Sequence, residues 1–341
     1  MSRVLVAAAS LAFLTAACSG DDGADDDDTT TVEWRLIDSE LPAALLSVWG
    51  AGPDDIWAVG GDLRDGTGPL VVHYDGASWS RVATGVDAGD LWWVFGFEGG
   101  PIFMGGTGGR ILKYDGGTFT TMDTPSAATV FGLWGSSPND VWAVGGELGT
   151  RGGFAWRNDG SNTWTPEPSL PVETASTAAV WKVFGTSADD VWLVGSGSAS
   201  FQWNGTTLTE GQTGVGGSLF TVHGRGGRYA AVGGLGSGVI VEYDGNTWQD
   251  VTPPSVISGL SGVVLGANEV GYTVGQFGSV FRRDAGGWHE EPTVLTAENL
   301  HAVWMDDEGG VWSVGGRTAA LPLVNGVMIY KGARDVPAGG L

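Results

Sequence analysis

Side chains that do chemistry are sparse in this chain and unevenly placed. Only 13 of its 341 residues are Arg, and four of these, Arg64, Arg110, Arg151 and Arg317, fall in glycine-rich stretches, with Glu147 beside Arg151. A guanidinium on such a loop presents a planar donor fork that matches a carboxylate or sulfate. The four lie four, five, six and two residues beyond a recurring Gly. Residues that only shape a turn keep register, and these do not. They are therefore the candidate ligands, with Glu147, for an anionic compound such as an acidic carbohydrate; the alternative is that they are solvated loop arginines. The four His (His73, His223, His289, His301) share no ligand spacing, so no metal site is expected. No nucleophile elbow, phosphate loop or cofactor motif is present, and no cofactor is expected.

Positioning these arginines falls to a repeat. An aliphatic–aromatic–Gly phrase is followed by a polar turn, an apolar run ending in Gly, a Gly-rich loop, a second apolar run, Asp-Gly and Trp. Ser47–Gly50, Pro53–Gly60 and Val71–Trp79 make the clearest copy, and Leu133–Gly135 with Pro138–Gly145 the next. The Gly ending the second run recurs at Gly60, Gly105, Gly145, Gly195, Gly233, Gly275 and Gly315. Seven units at this spacing, each with four short strands A to D, predict an all-β, seven-bladed β-propeller of four-stranded antiparallel blades. Blades are expected from about residues 43, 90, 128, 178, 217, 259 and 299. Strand A pairs such as Val48-Trp49 and Val183-Phe184 are apolar on both faces, as are the strand B runs, so Trp57, Trp142, Trp192 and Trp312 read as core. The last unit lacks a Trp-bearing strand D, while Val32–Ile37 is an orphan strand with Trp34. Residues 32–41 are thus expected to enter blade VII and close the ring, removing an exposed edge. The propeller spans 32–332 and a tail 333–341 follows.

In this fold the A–B and C–D turns share one face, and the B–C loops and blade-to-blade connections share the other. Asp residues crowd the first face (Asp54, Asp55, Asp75, Asp140, Asp190, Asp244 among them), and the four arginines lie on the second. Asp that recurs in blade after blade reads as turn chemistry. Arg225 and Arg228 break this pattern by sitting in the A–B turn of blade V.

The N-terminus is a different kind of segment. Arg3 precedes an apolar stretch, Val4–Ala17, too short to span a bilayer, and then comes Cys18, the only Cys. Residues 1–17 read as a secretory signal. Residues 19–31 hold six Asp and nothing apolar beyond Ala, so 18–31 reads as an extended acidic tether. Leu14–Cys18 resembles the lipobox of bacterial lipoproteins, with Thr15 where the family usually has Leu. The resemblance implies acylation of Cys18 and attachment to the cell envelope by that lipid. Ser19 after the Cys implies the outer membrane, with the protein periplasmic or surface-exposed. The formal charge of −23 argues against nucleic acid and against anionic lipid as electrostatic partners.

The Asp-Gly-x-x-Trp element, at Asp75–Trp79 and Asp244–Trp248 and more weakly at Asp115–Phe119 and Asp284–Trp288, resembles the Asp-box (BNR-type) propeller repeat. Here Asp and Gly are adjacent, and no Ser or Thr stands two residues before the Asp. The resemblance implies an extracytoplasmic propeller of a group that includes sialidases, other glycosidases and binding proteins. A sialidase also needs a Tyr–Glu pair beside its arginines, and none can be placed there. The expected function is a monomeric, membrane-anchored binding or scaffold propeller for a glycan or an envelope protein, more a binder than an enzyme. The alternative is a glycoside hydrolase or lyase of the sialidase-like type.

Overall fold

The computed structural model describes residues 32–147, 151–292, 295–339 and 341. The expected signal peptide, Cys18 and the acidic tether lie outside the described residues. Among the described residues, twenty-eight strands form seven four-stranded antiparallel sheets. Blades I to VII begin with inner strands Leu45–Gly52, Leu91–Gly96, Thr129–Ser137, Val180–Ser187, Leu219–Arg225, Leu260–Leu265 and Asn299–Met305. These inner strands touch one another all the way round, Asn299–Met305 against Leu45–Gly52 included. The fold is a seven-bladed β-propeller. Among the described residues its departures from an all-strand reading are one α-helical turn, Val172–Thr177, in the blade III–IV connection, and three short 3-10 turns in B–C loops.

Each recurrent residue type has a packing reason. The Gly that ends strand B lies under the backbone that enters strand A. A Cβ on Gly145 would stand 1.9 Å from the Thr129 carbonyl oxygen, and one on Gly315 would stand 1.8 Å from that of Asn299. The aromatic–Gly pair works between blades. Trp49 of blade I lies on Gly96 of blade II, Trp134 on Gly185, and Trp304 of blade VII on Gly50, with the absent Cβ within 2.8 Å of the indole in each case. The strand D Trp packs edge-on against a strand B aromatic of the preceding blade. Trp79 meets Trp312 at 5.4 Å and Trp248 meets Trp192 at 5.1 Å.

Strand Trp34–Leu41 supplies the missing fourth strand. It pairs antiparallel with Val324–Lys331, Trp34 opposite Lys331. Trp34 then occupies the strand D position of blade VII and meets Tyr272 of blade VI edge-on at 5.7 Å. The ring is closed by joining the two ends of the described chain.

Every inner strand also carries a one-residue bulge just after it starts, leaving Leu46, Trp92, Phe131, Trp181, Phe220, Ser261 and His301 unpaired in register. A bulge re-aims its side chain. Trp92 contacts Phe131 at 5.3 Å, Phe131 contacts Trp181 at 4.8 Å, and His301 of blade VII reaches Trp92 of blade II at 6.2 Å. Contact between blades VII and II, across blade I, places these side chains about the ring axis. They fill the end of the channel that opens on the B–C face.

Candidate functional site

Three of the four arginines lie on B–C loops, of blades I, II and III, and the fourth lies at the B–C end of blade VII. Only one is brought to the expected carboxylate: Arg151 Nε stands 3.7 Å from Glu147 Oε2, both side chains well exposed. Arg110 donates to the Ala88 carbonyl in the blade I–II connection. Arg64 is exposed in a left-handed turn (φ 58°), its backbone N–H donating to Asp62. Arg317 ends strand B of blade VII and is exposed. Clefts on this face lined by Thr107, Ser126 and Glu147, and by Thr174, Ser198 and Glu210, include none of the four.

The Asp residues of the opposite face divide into two kinds. Asp75 and Asp244 each accept two backbone N–H groups within their own turn, which holds both carboxyls below the usual carboxylate range. This is the expected turn chemistry. The Asp that opens strand B does something else: it fastens a neighbouring strand. Asp55 binds His73 at 2.8 Å, Asp140 pairs with Arg157, and Asp190 accepts the Tyr229 hydroxyl of the next blade at 2.9 Å.

In blade V that Asp is replaced by Arg228. Strands Leu219–Arg225 and Arg228–Gly233 join through Gly226 and Gly227, both at positive φ, and Arg225 is directly opposite Arg228 in the ladder. Like charges at opposed positions repel. Neither is closely neutralised: Arg225 Nη1 lies 3.9 Å from Asp307 and Arg228 Nη1 lies 3.6 Å from Glu269, and both arginine side chains are more than half exposed. Both line a cleft of about 300 Å³ between blades V and VI, floored by Val251, Leu265 and Val270.

The cleft wall is rigid. Arg283 forks Glu242 (Nε–Oε1 2.6 Å, Nη2–Oε2 3.2 Å), and Glu242 also accepts Trp288 Nε1. The Glu242 bond raises the Arg283 pKa further, so that charge is fixed. Arg283 Nη1 donates to the Glu269 carbonyl at 2.9 Å, bracing a turn in which Asn268 and Glu269 are both left-handed (φ 55° and 62°). Left-handed non-glycine residues are strained and persist where the surroundings hold them. Behind Leu265, His223 accepts the Leu265 N–H on Nδ1 at 3.1 Å, and burial pushes its pKa down to about 3, so it is neutral. The cleft thus sets two half-exposed arginines, each loosely paired with one carboxylate, above an apolar floor, with Asp244 and Glu269 also on its lining. Among the described residues no cluster suited to a metal ion occurs.

No family model matches the chain, and no curated protein matches it in sequence. Solved structures do resemble it. Streptogramin B lyase superposes with a TM-score of 0.71 at 12% identity, over 89% of this chain and 98% of that one. A structure of YCF48 bound to D1 peptide superposes with a TM-score of 0.65 at 14% identity, over 87% and 96%. The WD40 propeller of Doa1 gives 0.64 at 13%, over 88% and 97%. At such identities the likeness extends to the propeller fold alone.

Proposed function

We propose that the protein is an extracytoplasmic binding propeller, anchored to the outer membrane by a lipid on Cys18, which takes a carboxylate-bearing segment of a protein partner into the cleft between blades V and VI. The observation that carries this reading is the opposed pair Arg225 and Arg228 on the lining of a cleft with an apolar floor, Arg228 standing where blades I, III and IV place Asp. A peptide offers both halves of the match: a carboxylate for the guanidinium fork and apolar side chains for the floor. That YCF48, a propeller of similar shape, has been solved with a peptide bound supports this class of ligand.

The test is a peptide array of 12-residue sequences graded by acidic content, probed with the full chain. The wild type is expected to favour acidic sequences, more weakly at high salt. Arg228→Asp restores the residue found in blades I, III and IV, so the fold should hold while acidic-peptide binding falls by about tenfold, the worth of one charge-assisted pair. No acidic preference in the wild type, or equal binding by the variant, overturns the reading.

A second reading keeps the B–C face: an anionic carbohydrate held by Arg64, Arg110, Arg151 and Arg317 with Glu147. It is favoured by their places on four adjoining blades of one face. A glycan and peptidoglycan screen with the variant carrying all four Arg→Ala changes tests it.

A further inference from the structure

Three of the most exposed apolar side chains stand together on the B–C face of blades V and VI. Leu235 (76% exposed) is in the B–C loop of blade V, Ile257 (83%) in the connection to blade VI, and Phe277 (74%) in the B–C loop of blade VI. The Gln276 side chain binds the three loops to one another: its Nε2 donates to the Leu235 carbonyl and its Oε1 accepts the Gly259 N–H at 3.2 Å. The prongs are therefore held in a fixed arrangement.

Phe277 is the telling residue. It occupies the middle of a short 3-10 turn, Gln276–Gly278, with φ 59°. The matching turns of blades II and IV, Thr107–Gly109 and Ser196–Ser198, place Gly108 and Gly197 there, at φ 73° and 59°. Blade VI thus puts a bulky aromatic in a left-handed backbone that its sister blades give to Gly, and then exposes it. Both choices cost stability in the isolated protein. Such a cost points to a use.

The surroundings identify what covers these prongs. Residues 211–219, 234–239, 251–259 and 275–280 contain no charged residue, in a chain with 55 of them and a net charge of −23. These stretches therefore have no charged group with which to pair an ionic partner. The three side chains project singly from loop tips and do not line a groove. Together they offer roughly 400 Å², about half of what each side of a stable protein interface buries. A lipid bilayer needs neither a pre-shaped groove nor ion pairs, because it deforms around inserted side chains.

We infer that Leu235, Ile257 and Phe277 form a three-pronged insertion tip by which this face of the propeller enters the surface of an uncharged lipid bilayer. The tip is independent of the cleft on the opposite face.

The experiment uses the full chain with Cys18→Ser, so that no acyl group contributes, and an environment-sensitive dye on Gly236→Cys, a position open to solvent. Phosphatidylcholine vesicles are added. A second label, on Thr118→Cys at the start of strand D of blade II, beside the C–D turn of the opposite face, is the control. The dye at 236 is expected to shift to the blue with a several-fold rise in emission while the dye at 118 is unchanged. Phosphatidylglycerol vesicles should give a smaller response, because the protein is acidic. Adding Ile257→Ser and Phe277→Gly should weaken the vesicle response at 236 at least about tenfold. Phe277→Gly relieves backbone strain, so loss of the response cannot be charged to unfolding. Equal responses at 236 and 118, an unchanged response in the double variant, or protection of 236 by a protein partner with none from vesicles would each overturn the assignment.

Discussion

A chain lacking residues 32–41 is expected to lose its cooperative thermal transition and to aggregate on expression. The segment does three things at once. It pairs along Val324–Lys331, which would otherwise be an open edge. It buries Trp34, Ile37 and Leu41, each at most 8% exposed. It also supplies the indole that packs on Tyr272 and donates to Glu291 Oε2 at 2.6 Å, linking blade VII to blade VI. At about 1.5–3 kcal/mol for each of three buried side chains, the apolar share alone is about 5–9 kcal/mol, close to the whole net stability of an ordinary domain. Trp34→Ala isolates the central contact and should cost about 3–5 kcal/mol, read as a fall in Tm by calorimetry. Leu36→Ala, on the solvent side of the same strand, should leave Tm almost unchanged. Equal melting of the truncated and full chains would show that the ring does not depend on this closure.

That closure could be read from the sequence because the element that defines the strand was counted: a Trp missing from the last unit and a spare Trp at the start. The marker glycines were readable for a similar reason. A Cβ at Gly145 or Gly315 would fall inside a carbonyl oxygen, so no other residue can stand there and the period shows through divergent blades. The bulged positions behave oppositely. Leu46, Trp92, Ser261 and His301 occupy equivalent places, and a position filled by such different residues leaves no periodic trace. The cleft fell between these cases. Arg225 and Arg228 stood out as exceptions on an Asp-rich face, but their meaning depends on the neighbouring blade's Leu265, Glu269 and Arg283, which a reading within one repeat does not bring near. The signal was the charge reversal itself, Arg228 in the place of Asp55, Asp140 and Asp190. The sequence assigns the Asp residues one role, and their two geometries separate turn-forming carboxylates from those that fasten strand to strand.

Replacing Lys182 by Met is expected to stabilise the protein, and to do so most at neutral and acid pH. Lys182 is 5% exposed on the inner strand of blade IV. Its backbone lies against Gly132 of blade III, where an added Cβ would stand 3.0 Å from the Lys182 Cα. Its Nζ donates to the Phe131 carbonyl at 2.7 Å and lies 4.2 Å from the centre of the Trp93 ring. No carboxylate pairs with it among the described residues. The charged group that bears on this cluster is Lys182 itself, and the buried His301 is kept neutral, its pKa pushed down to about 4 by burial first and Lys182 second. Burial likewise lowers the Lys182 pKa to about 7. The unfolded chain therefore binds one more proton than the folded chain between pH 7 and the ordinary lysine value of 10.5. Stability then rises with pH across that window, and below it the full cost of burying the amine is present. Met fills similar volume without that cost, although it leaves the Phe131 carbonyl without a donor, worth about 1–3 kcal/mol. The net gain should be on the order of 2–4 kcal/mol near pH 6, falling towards zero or reversing by pH 10. Calorimetric Tm values for both proteins between pH 6 and 10 decide the matter. Parallel curves would mean that the amine is solvated and charged throughout, and that the aromatic ring about the axis admits water to Lys182.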